Sequence, residues 1–127
     1  MADAADLSRQ LLELADADLL AARTLSAADG IPDPIIGFHA QQSVEKALKS
    51  VLARHEIEFP FTHDLDGLVE RCRSSGIDVP PELDEADTLT PFGVRWRYGT
   101  GLPATLDREQ ALSLAARAIE WARRDRP

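Results

Sequence analysis

The chain has 127 residues, of which 44% are hydrophobic and 28% charged, and this composition fits one globular domain rather than a disordered segment. Its formal net charge of −8 excludes a broad basic surface, so a specific DNA partner is not expected. The single cysteine, Cys72, rules out an intramolecular disulfide and a cysteine-based zinc site, and neither a metal nor a cofactor is predicted.

The first six residues are acidic and lack an apolar core, and no apolar run approaches the roughly 20 residues that a membrane span requires. We therefore expect a cytoplasmic protein with no membrane partner. Basic residues gather at Lys46, Lys49 and Arg54, at Arg95 and Arg97, and near the C-terminus. A local cationic site of this size suits a small anion or a few phosphates.

Five helical segments are predicted from apolar periodicity and from start and stop residues. In chain order they are 4–28, 33–54 with Asp33 as N-cap, 63–73 with Thr62 as N-cap, 80–98 with a kink or restart at Pro91, and 107–124 with Asp107 and Gln110 as a capping box. A loop is predicted at 99–103, and no repeat or linker divides the chain. The predicted fold is all-α: a single-domain antiparallel up-and-down bundle of four main helices plus a short fifth helix.

The second helix has two distinct faces at about 100° per residue. Seven apolar residues form its predicted core face: Ile36, Ala40, Val44, Ala47, Leu48, Val51 and Leu52. On the other side lie four polar residues that we call the polar stripe: His39, Gln42, Lys46 and Lys49. The stripe is either a solvated face, with Glu45 pairing to Lys49 at i,i+4, or a ligand site in which His39 and Gln42 hydrogen-bond a partner.

The sequence Thr62-His63-Asp64-Leu65 supplies a second histidine. With Thr62 as the cap, His63 lies in the first helical turn, where the positive helix end disfavours an imidazolium. A neutral imidazole there can act as a base or as a hydrogen-bonding group. The alternative is that His63 and Asp64 only complete the helix start.

The sequence Arg95-Trp96-Arg97-Tyr98 interleaves two guanidiniums with aromatic rings. Such a cluster can grip phosphate and stack a base, as nucleotide and single-stranded RNA sites require. The alternative is that the arginines favour a helix C-terminus while Trp96 fills the core. The ligand-site interpretation requires that the polar stripe, His63 and the Arg97-Tyr98 pair converge in one cleft.

Four stretches of this sequence resemble the HEPN domain. They are 38–49 (FHAQQSVEKALK), His63-Asp64-Leu65 with Leu68, Leu89-Thr90, and Arg97-Tyr98. The resemblance covers nearly the whole chain and implies an up-and-down helical bundle, similar to the C-terminal domain of kanamycin nucleotidyltransferase, that commonly forms a homodimer. It also implies a partner: such proteins often accompany a minimal nucleotidyltransferase in two-gene toxin–antitoxin modules.

Many proteins of this family are metal-independent ribonucleases that carry an arginine followed, four to six residues later, by a histidine. No histidine occurs after His63 in this chain, so that motif is missing. The resemblance therefore favours a nucleotide- or RNA-phosphate-binding protein. Its predicted ligand residues are His39, Gln42, Lys46, Lys49, His63, Asp64, Arg95, Arg97 and Tyr98.

Two alternative functions remain open. One is a ribonuclease toxin, in which His63 or His39 is the base and Arg95 or Arg97 stabilises the charge on the phosphate. The other is a helical subunit that only binds proteins, such as a nucleotidyltransferase encoded nearby. In that case the polar stripe is structural and no small ligand is needed.

Overall fold

The computed structural model describes residues 3–93 and 105–127, and within them every regular element is helical. The helices are α1 (Ala4–Ala27), α2 (Asp33–Arg54), α3 (Leu65–Ser74) and α4 (Arg108–Arg124). A 3₁₀ segment, Pro81–Gly93, lies between α3 and α4. The predicted all-α class is confirmed. The predicted loop at 99–103 falls outside the described residues.

Helices α1 and α2 pack against each other through small side chains. Ser8 and Ala15 are buried seven residues apart on α1, so both point to the same side of that helix. The Ser8 hydroxyl donates to the carbonyl of Ser50 at 2.7 Å, and the Ser43 hydroxyl donates to the carbonyl of Ala15 at 2.9 Å. Because residue numbers rise along α1 as they fall along α2, the two helices run antiparallel.

The apolar residues of α2 form the centre of the core. All seven residues of the predicted core face are buried, with exposures of 0%. Burial on α2 also extends to polar groups, since Gln41, Ser43, Glu45 and Ser50 are buried as well. Helix α2 is therefore enclosed on more sides than its apolar pattern predicts.

Helix α4 runs in the same direction as α2 and is tied to it at both ends. Near the start of α2, Asp33 accepts from Arg108 Nε at 2.6 Å and from the backbone N–H of Leu106 at 3.1 Å. Near its end, Arg54 donates to the carbonyls of Ala122 and Asp125 at 2.6 and 2.7 Å. The N-cap of α2 is Pro32, whose backbone is extended, and Asp33 is the first helical residue rather than the predicted cap.

Helix α3 begins two residues later than the sequence predicts. Thr62 is not its cap: the Thr62 hydroxyl accepts from the N–H of Asp64 at 3.0 Å, which forms a local turn. The N-cap is Asp64, and the N–H of Leu65 donates to the hydroxyl of Thr90 at 3.2 Å. His63 therefore precedes α3 instead of lying in its first turn. The prediction that the positive end of the helix disfavours an imidazolium at His63 rested on that first-turn position.

The fourth predicted helix is a 3₁₀ helix over the part that the structure describes. The Thr88 hydroxyl donates to the carbonyl of Glu85 at 2.7 Å, a side-chain bond that competes with α-helical pairing. Pro91, inside the segment, has no N–H to donate. Both features favour the tighter, less regular winding.

The C-terminus of α2 holds a residue in an unusual conformation. Glu56 has φ of 57°, the left-handed region that favours glycine. Its N–H donates to the carbonyl of Ala53 at 3.0 Å, and the N–H of Ile57 donates to that of Leu52 at 2.9 Å. This is the Schellman arrangement, in which glycine is usual at the position of Glu56.

We expect Glu56→Gly to raise the free energy of unfolding by about 0.5–1 kcal/mol, because it removes the cost of a side chain at positive φ. Urea unfolding measures the change. The matched control is Glu58→Gly, which removes the same charge from an exposed position with no positive φ. Equal effects of the two substitutions would contradict the conformational explanation.

None of the helices described here is both long enough and apolar enough to cross a membrane.

Candidate functional site

A buried carboxylate, Glu45, organises one side of α2. Only 5% of Glu45 is exposed. Its Oε1 accepts hydrogen bonds from Gln41 Nε2 at 3.0 Å and from His63 Nδ1 at 2.7 Å. Its Oε2 accepts from Lys49 Nζ at 3.1 Å, which confirms the predicted i,i+4 pair. We call Gln41, Glu45, Lys49 and His63 the Glu45 cluster.

Two opposing effects act on the pKa of Glu45. Burial raises it, but the hydrogen bonds from Gln41, His63 and Lys49 outweigh burial and hold the pKa below its ordinary value. Glu45 is therefore ionised at neutral pH, and an ionised carboxylate only accepts hydrogen bonds. The proton shared with His63 must then belong to Nδ1 of the imidazole.

The His63 ring lies at the surface above this carboxylate, with 54% of its side chain exposed. Among the described residues, the ring hydrogen-bonds through Nδ1 alone. In the neutral ring, Nε2 then carries the lone pair. An exposed imidazole fixed from behind by a buried carboxylate can accept a proton or a hydrogen bond from a ligand hydroxyl through this lone pair. Once it is protonated, its Nε2–H can instead donate to a phosphate oxygen.

The fully buried Gln41 joins His63 to the rest of the network. Its Nε2 also donates to the carbonyl of His63 at 3.2 Å, and its Oε1 accepts from Gln42 Nε2 at 2.8 Å. Gly93 packs directly on this pair: a Cβ on Gly93 would lie 2.7 Å from Gln41 Cδ and 3.0 Å from His63 Cβ. Gly93 therefore lies against both Gln41 and His63.

A second carboxylate–histidine pair lies on the α1 side of α2. Asp18 accepts from His39 Nδ1 at 3.1 Å and from Lys46 Nζ at 2.6 Å. The side chains of Asp18, His39 and Lys46 are 15%, 29% and 23% exposed. The positive charge of Lys46 is thus met by a carboxylate of the same chain.

The polar stripe is therefore divided between two networks. Lys49 belongs to the Glu45 cluster and Gln42 is bonded to it through Gln41, whereas His39 and Lys46 pair with Asp18.

The remaining predicted ligand residues lie beside these networks or outside the described chain. Asp64 is exposed next to His63, with its carboxylate over Gly67. Arg95, Arg97 and Tyr98 lie outside the residues that the structure describes, so their convergence with His63 in one cleft stays a prediction.

Comparison with known proteins gives one result at the level of the family. The family model described as HEPN domain matches residues 8–125, nearly the whole chain. This chain belongs to the HEPN family. No curated protein and no solved structure gives a significant match. HEPN membership confirms the resemblance and indicates a nucleotide- or RNA-related function.

Three residues of these networks were not predicted as ligand residues: Asp18, Gln41 and Glu45, of which Glu45 was predicted only as the i,i+4 partner of Lys49. Asp18 lies on the same side of α1 as Leu7, Leu11 and Leu14, and a lone carboxylate in an apolar series was the available indication. Gln41 lies four residues before Glu45, the spacing at which helical side chains meet. Gln41 lies about 100° around the helix from Gln42 and so falls outside the polar stripe.

Proposed function

We propose that this HEPN chain binds a nucleotide or RNA through its phosphate groups at a site centred on His63. The observation that carries the proposal is the Glu45–His63 pair. A buried, ionised carboxylate fixes the exposed imidazole through Nδ1, so its orientation is set before a ligand arrives. A group held in advance loses less entropy on binding, which is the usual basis of a well-formed ligand site.

The sequence after Gly93 supplies the other groups of the proposed site. Arg95 follows Gly93 by two residues, so covalent geometry keeps the two Cα atoms within about 8 Å. In this proposal Arg95 and Arg97 contact phosphate and Tyr98 stacks on a base. Lys49 acts indirectly, through the carboxylate that holds His63.

The test measures binding of ATP, GTP and a labelled single-stranded RNA to the purified chain and to three variants. We expect His63→Ala and Arg97→Ala each to weaken binding by about tenfold, the effect of losing one charge-assisted hydrogen bond. His39→Ala is the matched control, since His39 also pairs with a carboxylate but belongs to the other network. Its affinity should stay within about twofold of the wild type.

Unchanged affinity in both His63→Ala and Arg97→Ala would reject this site. An equal loss in all three variants would instead indicate the single wide cleft that includes the whole polar stripe.

A second candidate function, the metal-independent ribonuclease, is favoured by the same Glu45–His63 geometry. A base fixed by a carboxylate can take the proton of a ribose 2′-hydroxyl, whose oxygen then attacks phosphorus. The P–O5′ bond breaks and the leaving O5′ takes a proton from solvent, which gives a 2′,3′-cyclic phosphate and a 5′-hydroxyl. The absent Arg-x4-6-His motif places this function second. If the purified chain cleaves tRNA in the presence of EDTA and His63→Ala abolishes this cleavage, the ribonuclease function would be favoured over the binding function.

The proposed assembly is a homodimer that partners a minimal nucleotidyltransferase in a toxin–antitoxin module. Exposed apolar side chains support an interaction role: Leu7 and Leu14 on α1 are 42% and 51% exposed, and Phe61 is fully exposed. Co-purification with the product of the adjacent gene tests the partnership. If the chain co-purifies with no such protein and also binds no nucleotide, both the ligand-binding proposal and the subunit proposal would be rejected.

A further inference from the structure

A cleft of about 380 Å³ lies where the first half of α1 meets the C-terminal ends of α2 and α4. Among the described residues that line it are Ser8, Arg9, Leu12, Arg54, Arg123 and Arg126. Four of the fourteen Lys and Arg residues of an acidic chain thus face one small space.

The cleft is remote from the Glu45 cluster. Arg54 follows Glu45 by nine residues on the same helix, which is about 180° around the axis and about 13 Å along it. A ligand in the cleft therefore lies on the opposite side of α2 from His63. The site would be separate from the one proposed above.

Arg54 is fixed in place at the floor of the cleft. Its side chain is 16% exposed, and it donates to the carbonyls of Ala122 and Asp125 at the end of α4. The Asp125 carboxylate lies 3.6 Å away and is shared with His55. Burial, with a contribution from the nearby Arg126 guanidinium, lowers the pKa of Arg54 despite Asp125. Two like charges thus oppose each other here, and a bound anion would relieve that repulsion.

The other three arginines of the cleft lie at exposed positions, unlike Arg54. Arg9 is 62% exposed and pairs with Asp6 at 3.2 Å and Glu13 at 3.9 Å, the kind of surface pair that contributes little. Arg123 pairs with Asp16, and Arg126 donates to the carbonyls of Arg123 and Asp125. Arg9 and Arg126 can therefore turn toward a ligand at small cost.

We propose that this arginine-lined cleft is a second anion site, which binds the phosphate groups of an RNA backbone or of a nucleotide. Guanidinium groups suit this ligand because their planar N–H pairs match two phosphate oxygens at once. Arg54 provides a fixed positive floor, and Arg9 and Arg126 supply the contacts at the rim.

The experiment compares inorganic tripolyphosphate, titrated by calorimetry, with a short single-stranded RNA, followed by fluorescence anisotropy. The test variant is Arg9→Gln/Arg126→Gln, which leaves the structural Arg54 in place. The control, Arg71→Gln/Arg124→Gln, removes the same charge from exposed positions that do not line the cleft. We expect the test variant to bind at least about tenfold more weakly, and the control within about twofold of the wild type.

Loss of tripolyphosphate binding in the test variant would identify a nucleotide-type oligophosphate as the ligand, whereas loss of RNA binding alone would identify the RNA backbone. Equal losses in the two double variants would overturn the proposal, because they would show only a general effect of charge. The proposal would also be overturned if the wild type bound neither tripolyphosphate nor the RNA. If His63→Ala abolishes binding and the test variant keeps it, the phosphate binds at His63. That result would reject the cleft proposal and leave the His63 proposal standing.

Discussion

Replacing Glu45 with glutamine is expected to lower the free energy of unfolding by about 2–4 kcal/mol. The carboxylate accepts from three donors, on Gln41, Lys49 and His63. A glutamine amide has one accepting oxygen and one donating nitrogen, so at least one of these donors must face an N–H group. Lys49, whose side chain is 11% exposed, would also lose the carboxylate that balances its charge.

The same carboxylate gives the fold a dependence on acid. The folded-state pKa of Glu45 lies below its unfolded value of 4.5, so ionised Glu45 stabilises the protein above that value. This contribution is lost as the pH falls from about 4.5 through the lower folded-state pKa. The free energy of unfolding of the wild type, measured in urea, should therefore fall over this acidic range. The Glu45→Gln variant should show a shallower dependence of this free energy on pH.

The control for this prediction is Glu13→Gln. Glu13 is 71% exposed and lies 3.9 Å from Arg9, so its removal should change stability by less than about 0.5 kcal/mol. If Glu45→Gln proves no more destabilising than Glu13→Gln, the Glu45 cluster does not hold the fold together in the way described.

Substitution of Gly37 by alanine is expected to destabilise the protein by about 1–3 kcal/mol, although alanine normally favours a helix interior. The reason is contact with one aromatic ring. A Cβ on Gly37 would lie 2.5 Å from Cδ1 and 2.7 Å from Cγ of Phe92, which is 3% exposed. Either the ring or the 3₁₀ segment that carries it must shift.

Two comparisons make this prediction specific. Gly67→Ala in α3 is the matched control, because a Cβ there meets only the exposed Asp64 carboxylate; it should be neutral or stabilising by up to about 1 kcal/mol. In a Phe92→Leu background, Gly37→Ala should cost less than in the wild type, since the ring has gone. A stabilising Gly37→Ala would show that α2 and the 3₁₀ segment do not pack as closely as described.

The sequence predicted one pair of the Glu45 cluster, Glu45 with Lys49, because both residues lie on one regular helix. Helical spacing placed Glu45 beside Lys49, and the block of residues 38–49 identified the family that the family match confirms. The prediction that His63 lies in the first turn of α3 was wrong, because the Thr62 hydroxyl forms a local turn instead of capping the helix. Such a choice between two local hydrogen bonds has no periodic pattern by which to predict it.

The sequence by itself determined the all-α class, most of the helix limits, the core face of α2 and the HEPN family. The class, the helix limits and the core face depend on local propensity and on a repeat of 3.6 residues, both of which are present in any short window. The family instead followed from the resemblance of particular stretches, above all residues 38–49. Only the tertiary structure decided the partners of His39 and His63. Asp18 and His39 are 21 residues apart in the chain, and Glu45 and His63 are 18 apart. Periodicity gives the direction in which a side chain points, but the group that it meets depends on how the helices pack.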